Sequence, residues 1–130
     1  MSKLVTKLNN FYNALQRLKE GVIEFKQADA SDVVRDGVIQ RFEFTYELAW
    51  KTTKGYLEDL GIVDHNSPKA VFKEAFAQKL IVDEKNWLLM ISDRNKTSHV
   101  YKEAMAKEIA ERIASCYINE FELLLRELQK

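Results

Sequence analysis

Apolar residues recur along the chain with a helical period. Leu4, Leu8, Phe11, Leu15, Leu18, Val22 and Phe25 step alternately by four and three. That is one stripe of an amphipathic helix, and it predicts a first helix over about residues 3–27. Residues 27–31 are small and polar and read as a turn. Ser31 or Asp32 can then cap a second helix. This helix carries Val34, Val38, Phe42, Tyr46, Ala49 and Thr53 on one side and closes before Gly61, a residue suited to follow a helix end. Phe44 and Leu48 lie nearly opposite Phe42 and Tyr46, and Trp50 widens the first stripe. A helix apolar on two sides is covered on two sides. One side serves a bundle core. The other needs a further helix of the same chain or a second chain, and the pattern leaves both open.

Ser67-Pro68 reads as a helix start, with serine at the cap and proline in the first turn. Val71, Phe72, Ala75 and Phe76 make a short amphipathic helix ending near Lys79. Asp83 can cap another short helix that carries Trp87, Leu88, Met90 and Ile91. The polar stretch 95–98 breaks the pattern. A last helix follows over about residues 102–127, with Met105, Ile109, Ile113, Tyr117, Phe121, Leu124 and Leu128 as its stripe. Three long helices, each about 37 Å, and two short ones predict an all-α fold. The expected packing is an up-and-down antiparallel bundle of the four-helix type, one domain over residues 1–130.

Composition supports this. Four glycines and one proline in 130 residues are too few for the turns of a sandwich or barrel. Twenty basic and twenty acidic residues cancel, so no long-range field gathers nucleic acid or an anionic membrane, and only a local basic site remains open. The single cysteine, Cys116, forbids an intrachain disulfide and fits a reducing compartment. The N-terminal residues lack the apolar core of a signal peptide. The longest fully apolar run is 87–91, far short of the ~20 residues that span a bilayer. A soluble, cytoplasmic protein with no membrane partner is expected.

A di-metal bundle site needs Glu-x-x-His on facing helices. The residues three before His65 and His99 are Ile62 and Lys96. The two histidines and Cys116 are scattered, so neither a metal nor another cofactor is expected. No glycine-rich phosphate loop, nucleophile elbow or dinucleotide fingerprint occurs. His65 reads as an exposed loop histidine. The segment Asp93-Arg94-Asn95-Lys96-Thr97-Ser98-His99-Val100-Tyr101 is different, because it brings arginine, histidine and tyrosine into one polar break. Folded back, it would bring Arg94 and His99 together near the positive end of the last helix, a set suited to a phosphate ester. A solvated helix connection is the other reading.

Arg94, four residues, His99, one residue and Tyr101, with Asn95 directly after the arginine, resembles the signature of the HEPN superfamily. The match is to the HepT-like group paired with minimal nucleotidyltransferases. The block from Arg35 to Lys51 is similar to the second helix of nucleotidyltransferase substrate-binding subunits. The resemblance covers essentially the whole chain. It implies a bundle like the C-terminal domain of kanamycin nucleotidyltransferase, a homodimer, and a partner nucleotidyltransferase encoded beside it. It also implies one of two functions. The first is a metal-independent ribonuclease toxin that takes RNA, tRNA among the candidates, and is silenced by AMP transfer to Tyr101. The second is a non-catalytic subunit that presents substrate to the nucleotidyltransferase. In the first, His99 exchanges protons, Arg94 stabilises the phosphorane charge and Asn95 orients the phosphate. A two-fold dimer would bring two copies of Arg94 and His99 to one cleft. A helical interaction module with neither activity is the third reading.

Overall fold

The computed structural model describes residues 3–27, 30–98 and 102–130. Among these, every regular element is helical. The order is α1 (Lys3–Phe25), α2 (Asp32–Asp59), α3 (Pro68–Ala77), α4 (Glu84–Thr97), α5 (Glu103–Arg112) and α6 (Ile118–Leu128). A π-helical turn, Ile113–Tyr117, joins α5 to α6, so the two run on as one long helix. The all-helical expectation holds.

The predicted starts are chemically made. The Ser31 hydroxyl accepts the Val34 N–H at 3.2 Å, the Ser67 hydroxyl accepts that of Ala70 at 3.2 Å, and the Asp83 carboxylate accepts that of Asn86 at 3.0 Å. Each satisfies a donor that a helix start leaves unpaired. Gly61 follows α2 at φ +84°, a backbone conformation that other residues adopt only with strain.

α2 is the central element and packs against α1, α3, α4, α5 and α6. Thr52 fastens α1, its Oγ1 donating to the Lys7 carbonyl at 3.2 Å, whereas Thr45 Oγ1 donates chiefly to the Arg41 carbonyl of α2 at 2.7 Å and stands 3.3 Å from that of Ala14. The core is largely aromatic. Phe121 of α6 meets Phe11 of α1 at 6.1 Å between ring centres, Phe42 of α2 at 6.1 Å and Trp87 of α4 at 5.8 Å. Phe72 of α3 completes the cluster, 4.4 Å from Trp87.

Four expectations need correction or refinement. The predicted break at 95–98 is absent, because α4 continues helical through Thr97. Thr97 is buried and its hydroxyl is bonded to α2, which outweighs the polar sequence. The last helix contains the wide turn. Its stripe advances by four at Met105, Ile109, Ile113, Tyr117 and Phe121, and each four-residue step overshoots an α-helical turn by about 40°. The wide turn gives back the excess, so Ile109, Ile113, Tyr117 and Phe121 all stay at 0% exposure. The second apolar side of α2 divides: Leu48 lies half-buried against the core, as Trp50 does beside the first stripe, whereas Phe44 is 62% exposed. Lastly, His65 is half-buried rather than exposed, with Nε2 3.5 Å from Glu74 Oε2. No helix among the described residues is long and apolar enough to cross a membrane.

Phe121 touches aromatic rings from three other helices, so Phe121→Ala should cost about 3–5 kcal/mol of stability. Urea unfolding measures this. A loss below about 1 kcal/mol would mean the core is not centred on that ring.

Candidate functional site

Two consecutive residues of α4, Asp93 and Arg94, reach in different directions and fix the C-terminal end of that helix. Asp93 is fully buried. Arg112 of α5 holds it with two parallel bonds, Nε to Oδ2 at 2.7 Å and Nη2 to Oδ1 at 2.8 Å. The Tyr117 hydroxyl, in the wide turn, donates a short bond to Oδ2. A buried carboxylate is costly unless charge and hydrogen bonds compensate it, and the guanidinium fork supplies both. Burial, then the bond to Asp93, pushes the Tyr117 phenol pKa upward, so the hydroxyl stays a donor. Arg112's own bonds to Asp93 raise the pKa of its guanidinium.

Arg94 turns the other way, toward α2. Its Nη1 lies 3.1 Å from Glu43 Oε2, with the arginine side chain 26% exposed. The Thr97 hydroxyl donates to the same carboxylate oxygen at 2.9 Å. Glu43 thus meets one cation and one hydrogen-bond donor from the last turn of α4. The buried Tyr46 lies beside this pair. Burial pushes its pKa up while the Arg94 charge pulls the other way. At the start of α5, Arg35 of α2 reaches Glu103 at 3.6 Å. Both ends of the α4–α5 connection are therefore tied to α2.

Of the four residues that the sequence pattern singles out, Arg94 and Asn95 are placed and do not share a direction. Successive residues point about 100° apart on a helix. Arg94 faces α2, and Asn95 is exposed, its amide making no hydrogen bond to another described residue. His99 and Tyr101 lie outside the described residues, and so does the convergence of Arg94 with His99. Glu43, Asp93, Arg112 and Tyr117 were not singled out by spacing. Asp93 falls on the stripe of Met90 and Thr97, where an acid among buried positions is itself a signal. Glu43 follows Phe42 at the edge of the core stripe. Among the described residues, no group of three acidic, histidine or cysteine side chains is placed to hold a metal ion. Cys116 is half-buried, and burial raises its thiol pKa, which lowers its thiolate character.

Comparison with known proteins agrees with this architecture. A Thermus thermophilus protein of known crystal structure superposes with a TM-score of 0.82 at 36% identity, over 92% of this chain and 99% of that one. A Haemophilus influenzae structure, described as revealing the fold of a substrate binding domain of a nucleotidyltransferase, superposes with a TM-score of 0.80 at 27% identity, over 95% and 99%. A chain of the MntA-HpeT toxin–antitoxin shares the fold at 16% identity, with a TM-score of 0.78 over 97% and 96%. In sequence, the chain is 30% identical to a probable ribonuclease HepT of Haemophilus influenzae, over 95% of this chain and 92% of that protein. The bundle thus has the fold described for a nucleotidyltransferase substrate-binding domain. The chain belongs to the HepT-like family described as nucleotidyltransferase substrate binding protein like, whose model matches residues 6–130.

The raised Tyr117 pKa makes a pH prediction. The ordinary tyrosine value is 10.0. Above it the unfolded chain releases a proton that folded Tyr117 keeps, so stability falls as pH rises past about 10. Tyr46 and Cys116 add losses of the same sign. Tyr117→Phe removes one of these three groups and should make the fall shallower in denaturant titrations between about pH 10 and 11.5. A slope equal to that of the unmodified chain would contradict the assignment.

Proposed function

We propose that the chain is the HepT-like partner of a minimal nucleotidyltransferase in a two-gene toxin–antitoxin-like module, and that it is a metal-independent endoribonuclease of the cytoplasm. The observation that carries this is Arg94. Its guanidinium is held half-exposed by Glu43 at the last turn of α4, in an Arg-x4-His-x-Tyr spacing with His99 and Tyr101. The likeness to a probable ribonuclease HepT and to a toxin–antitoxin fold supports the reading.

On this reading His99 takes the proton of the RNA 2′-hydroxyl, whose oxygen attacks the adjacent phosphorus. Arg94 stabilises the charge that accumulates on the phosphorane, and Asn95 orients the phosphate. The 5′-oxygen leaves with a proton from a second acid, giving a 2′,3′-cyclic phosphate and a free 5′-hydroxyl. One chain has one motif histidine, so the acid comes from His99 of a second copy in a two-fold dimer. The outward face of α2 supports such a dimer. It exposes Val33 and Phe44, and Gly37 between them has nothing within 4 Å of where a Cβ would stand. Glycine within a helix is unfavourable by about 1 kcal/mol against alanine, and close approach of a second backbone would explain it. The partner silences the enzyme when the Tyr101 phenol attacks the α-phosphorus of ATP, pyrophosphate leaves and the phenol proton passes to solvent. The resulting AMP ester would put bulk and negative charge at the cleft.

The alternative is a non-catalytic subunit that presents substrate to the nucleotidyltransferase. The Glu43 carboxylate on Arg94 and the formal net charge of zero favour it, since both weaken attraction for a polyanion.

His99→Ala and Arg94→Ala should each reduce RNA cleavage by about 10²–10⁴ while the helical dichroism is kept. Cleavage unchanged in both variants, or abolished by a chelator, would overturn the ribonuclease reading. Incubation with the partner, ATP and magnesium should add AMP to the intact mass, and Tyr101→Phe should remove the gain. Equal labelling of both proteins, or none with a demonstrably active partner, leaves the substrate-binding reading ahead.

A further inference from the structure

We infer that the groove between the start of α3 and the outward side of α4 is a subsite for one nucleotide of single-stranded RNA, joined through Asn95 to the phosphate site proposed above. The inference rests on the RNA reading above and adds a place on the protein for the flanking nucleotide. The groove, about 640 Å³, is lined by Lys69, Leu88, Ile91, Ser92, Asn95 and Lys96. That volume lies within the range of ligand clefts, about 300–1,000 Å³. Leu88, Ile91, Ser92, Asn95 and Lys96 are linked by steps of three and four, so they form one stripe of α4.

Three observations select a nucleotide. The first is charge. The groove has two ammonium groups and no acidic lining residue. Neither Lys69, Lys96, the Ser92 hydroxyl nor the Asn95 amide makes an ion pair or hydrogen bond to another described residue. The second is the position of Lys69. It stands in the first turn of α3, which contains no acidic residue. A cation there opposes the helix dipole, so its placement is locally unfavourable, and an anion in the groove would remove that conflict. The third is the floor. Leu88 is 37% exposed and Ile91 lies beside it, an apolar surface for a base, flanked by a hydroxyl and an amide that can meet polar base edges or a ribose hydroxyl. Asn95 belongs both to the groove and to the catalytic set proposed above, which links the two sites along the strand.

The test is fluorescence anisotropy of a labelled, single-stranded 2′-O-methyl RNA, measured against salt. The 2′-O-methyl group prevents cleavage, so the readout is binding alone. Lys69→Ala combined with Lys96→Ala should flatten the slope of log K against log salt by about 1.4, the value for two lost phosphate contacts on a single strand. Leu88→Ala should lower affinity by the same factor at every salt concentration, leaving the slope unchanged. Lys3→Ala with Lys26→Ala removes equal charge at the two ends of α1, away from the groove, and should keep the original slope. An unchanged slope in the Lys69/Lys96 variant, or an equal change in the Lys3/Lys26 variant, overturns the subsite and leaves the RNA reading standing. If the unmodified protein binds no RNA at any salt, the RNA reading and the subsite fall together. If the Lys69/Lys96 variant keeps its RNA slope but loses the partner nucleotidyltransferase, the groove is a protein interface and the subsite is overturned.

Discussion

The buried carboxylate of Asp93 is the constraint on which the rest of the site depends. It stands at 0% exposure inside an aromatic bundle, where an unpaired charge is not tolerated. Three donors answer it: two from Arg112, 19 residues further along the chain, and one from Tyr117. Those donors lie on either side of the junction between α5 and the wide turn. α4 is therefore bonded here to the long C-terminal helix, as it is again where Asn86 Nδ2 donates to Glu120 Oε2 at 2.9 Å, and the wide turn is what aims Tyr117 at Asp93. With ordinary α-helical spacing the residues beyond it would rotate by about 100° relative to those before, and either Tyr117 or Phe121 would leave its place. Arg94 is the next residue after Asp93, so this same point sets the direction in which Arg94 can reach.

α2 supplies the other half of the framework. Glu43 collects Arg94 and Thr97 on one carboxylate oxygen, and Arg35 reaches Glu103 across the far end of the α4–α5 connection. The two ties differ in strength. Glu43 is half-buried, pairs with the Arg94 charge and accepts the Thr97 hydroxyl. Glu103 is 75% exposed, and an ion pair open to solvent adds little, commonly about 0–1 kcal/mol. The end of α4 is thus held more firmly than the start of α5. A firm platform for Arg94 suits the ribonuclease reading, because charge stabilisation requires donors already in place when the charge develops.

The helices were legible in the sequence because their stripes bury. The caps at Ser31, Ser67 and Asp83 were legible because capping is local chemistry. The spacing of Arg94, His99 and Tyr101 was legible for the same reason. What pattern alone missed is long-range. The continuation of α4 through Thr97 depends on Glu43, 54 residues earlier in the chain. The pairing of Asp93 with Arg112 depends on two helices lying side by side. Phe44 looked like a second buried side of α2, but the described residues fold nothing over it. The wide turn occupies an intermediate place. Its signal was present as four successive steps of four in the last stripe, a period longer than an α-helix sustains.

The charge arrangement explains how a neutral chain could handle a polyanion. Acidic and basic residues balance, so the chain projects no general field. Arg94 is matched by Glu43, but only through Nη1 among the described contacts. The remaining guanidinium donors can meet a phosphate only after it has come close, since the Glu43 carboxylate repels it from a distance. Attraction on approach must then come from cations without a carboxylate beside them, and Lys69 and Lys96 are of that kind. On the ribonuclease reading this divides the work. The lysine pair holds the strand through short-range contacts that salt weakens. Arg94, oriented by Glu43, acts on the phosphate at which charge develops. Such a division favours RNA that is already engaged in the groove over nucleic acid at large, a useful property for a subunit whose other surfaces must stay free to pair with protein.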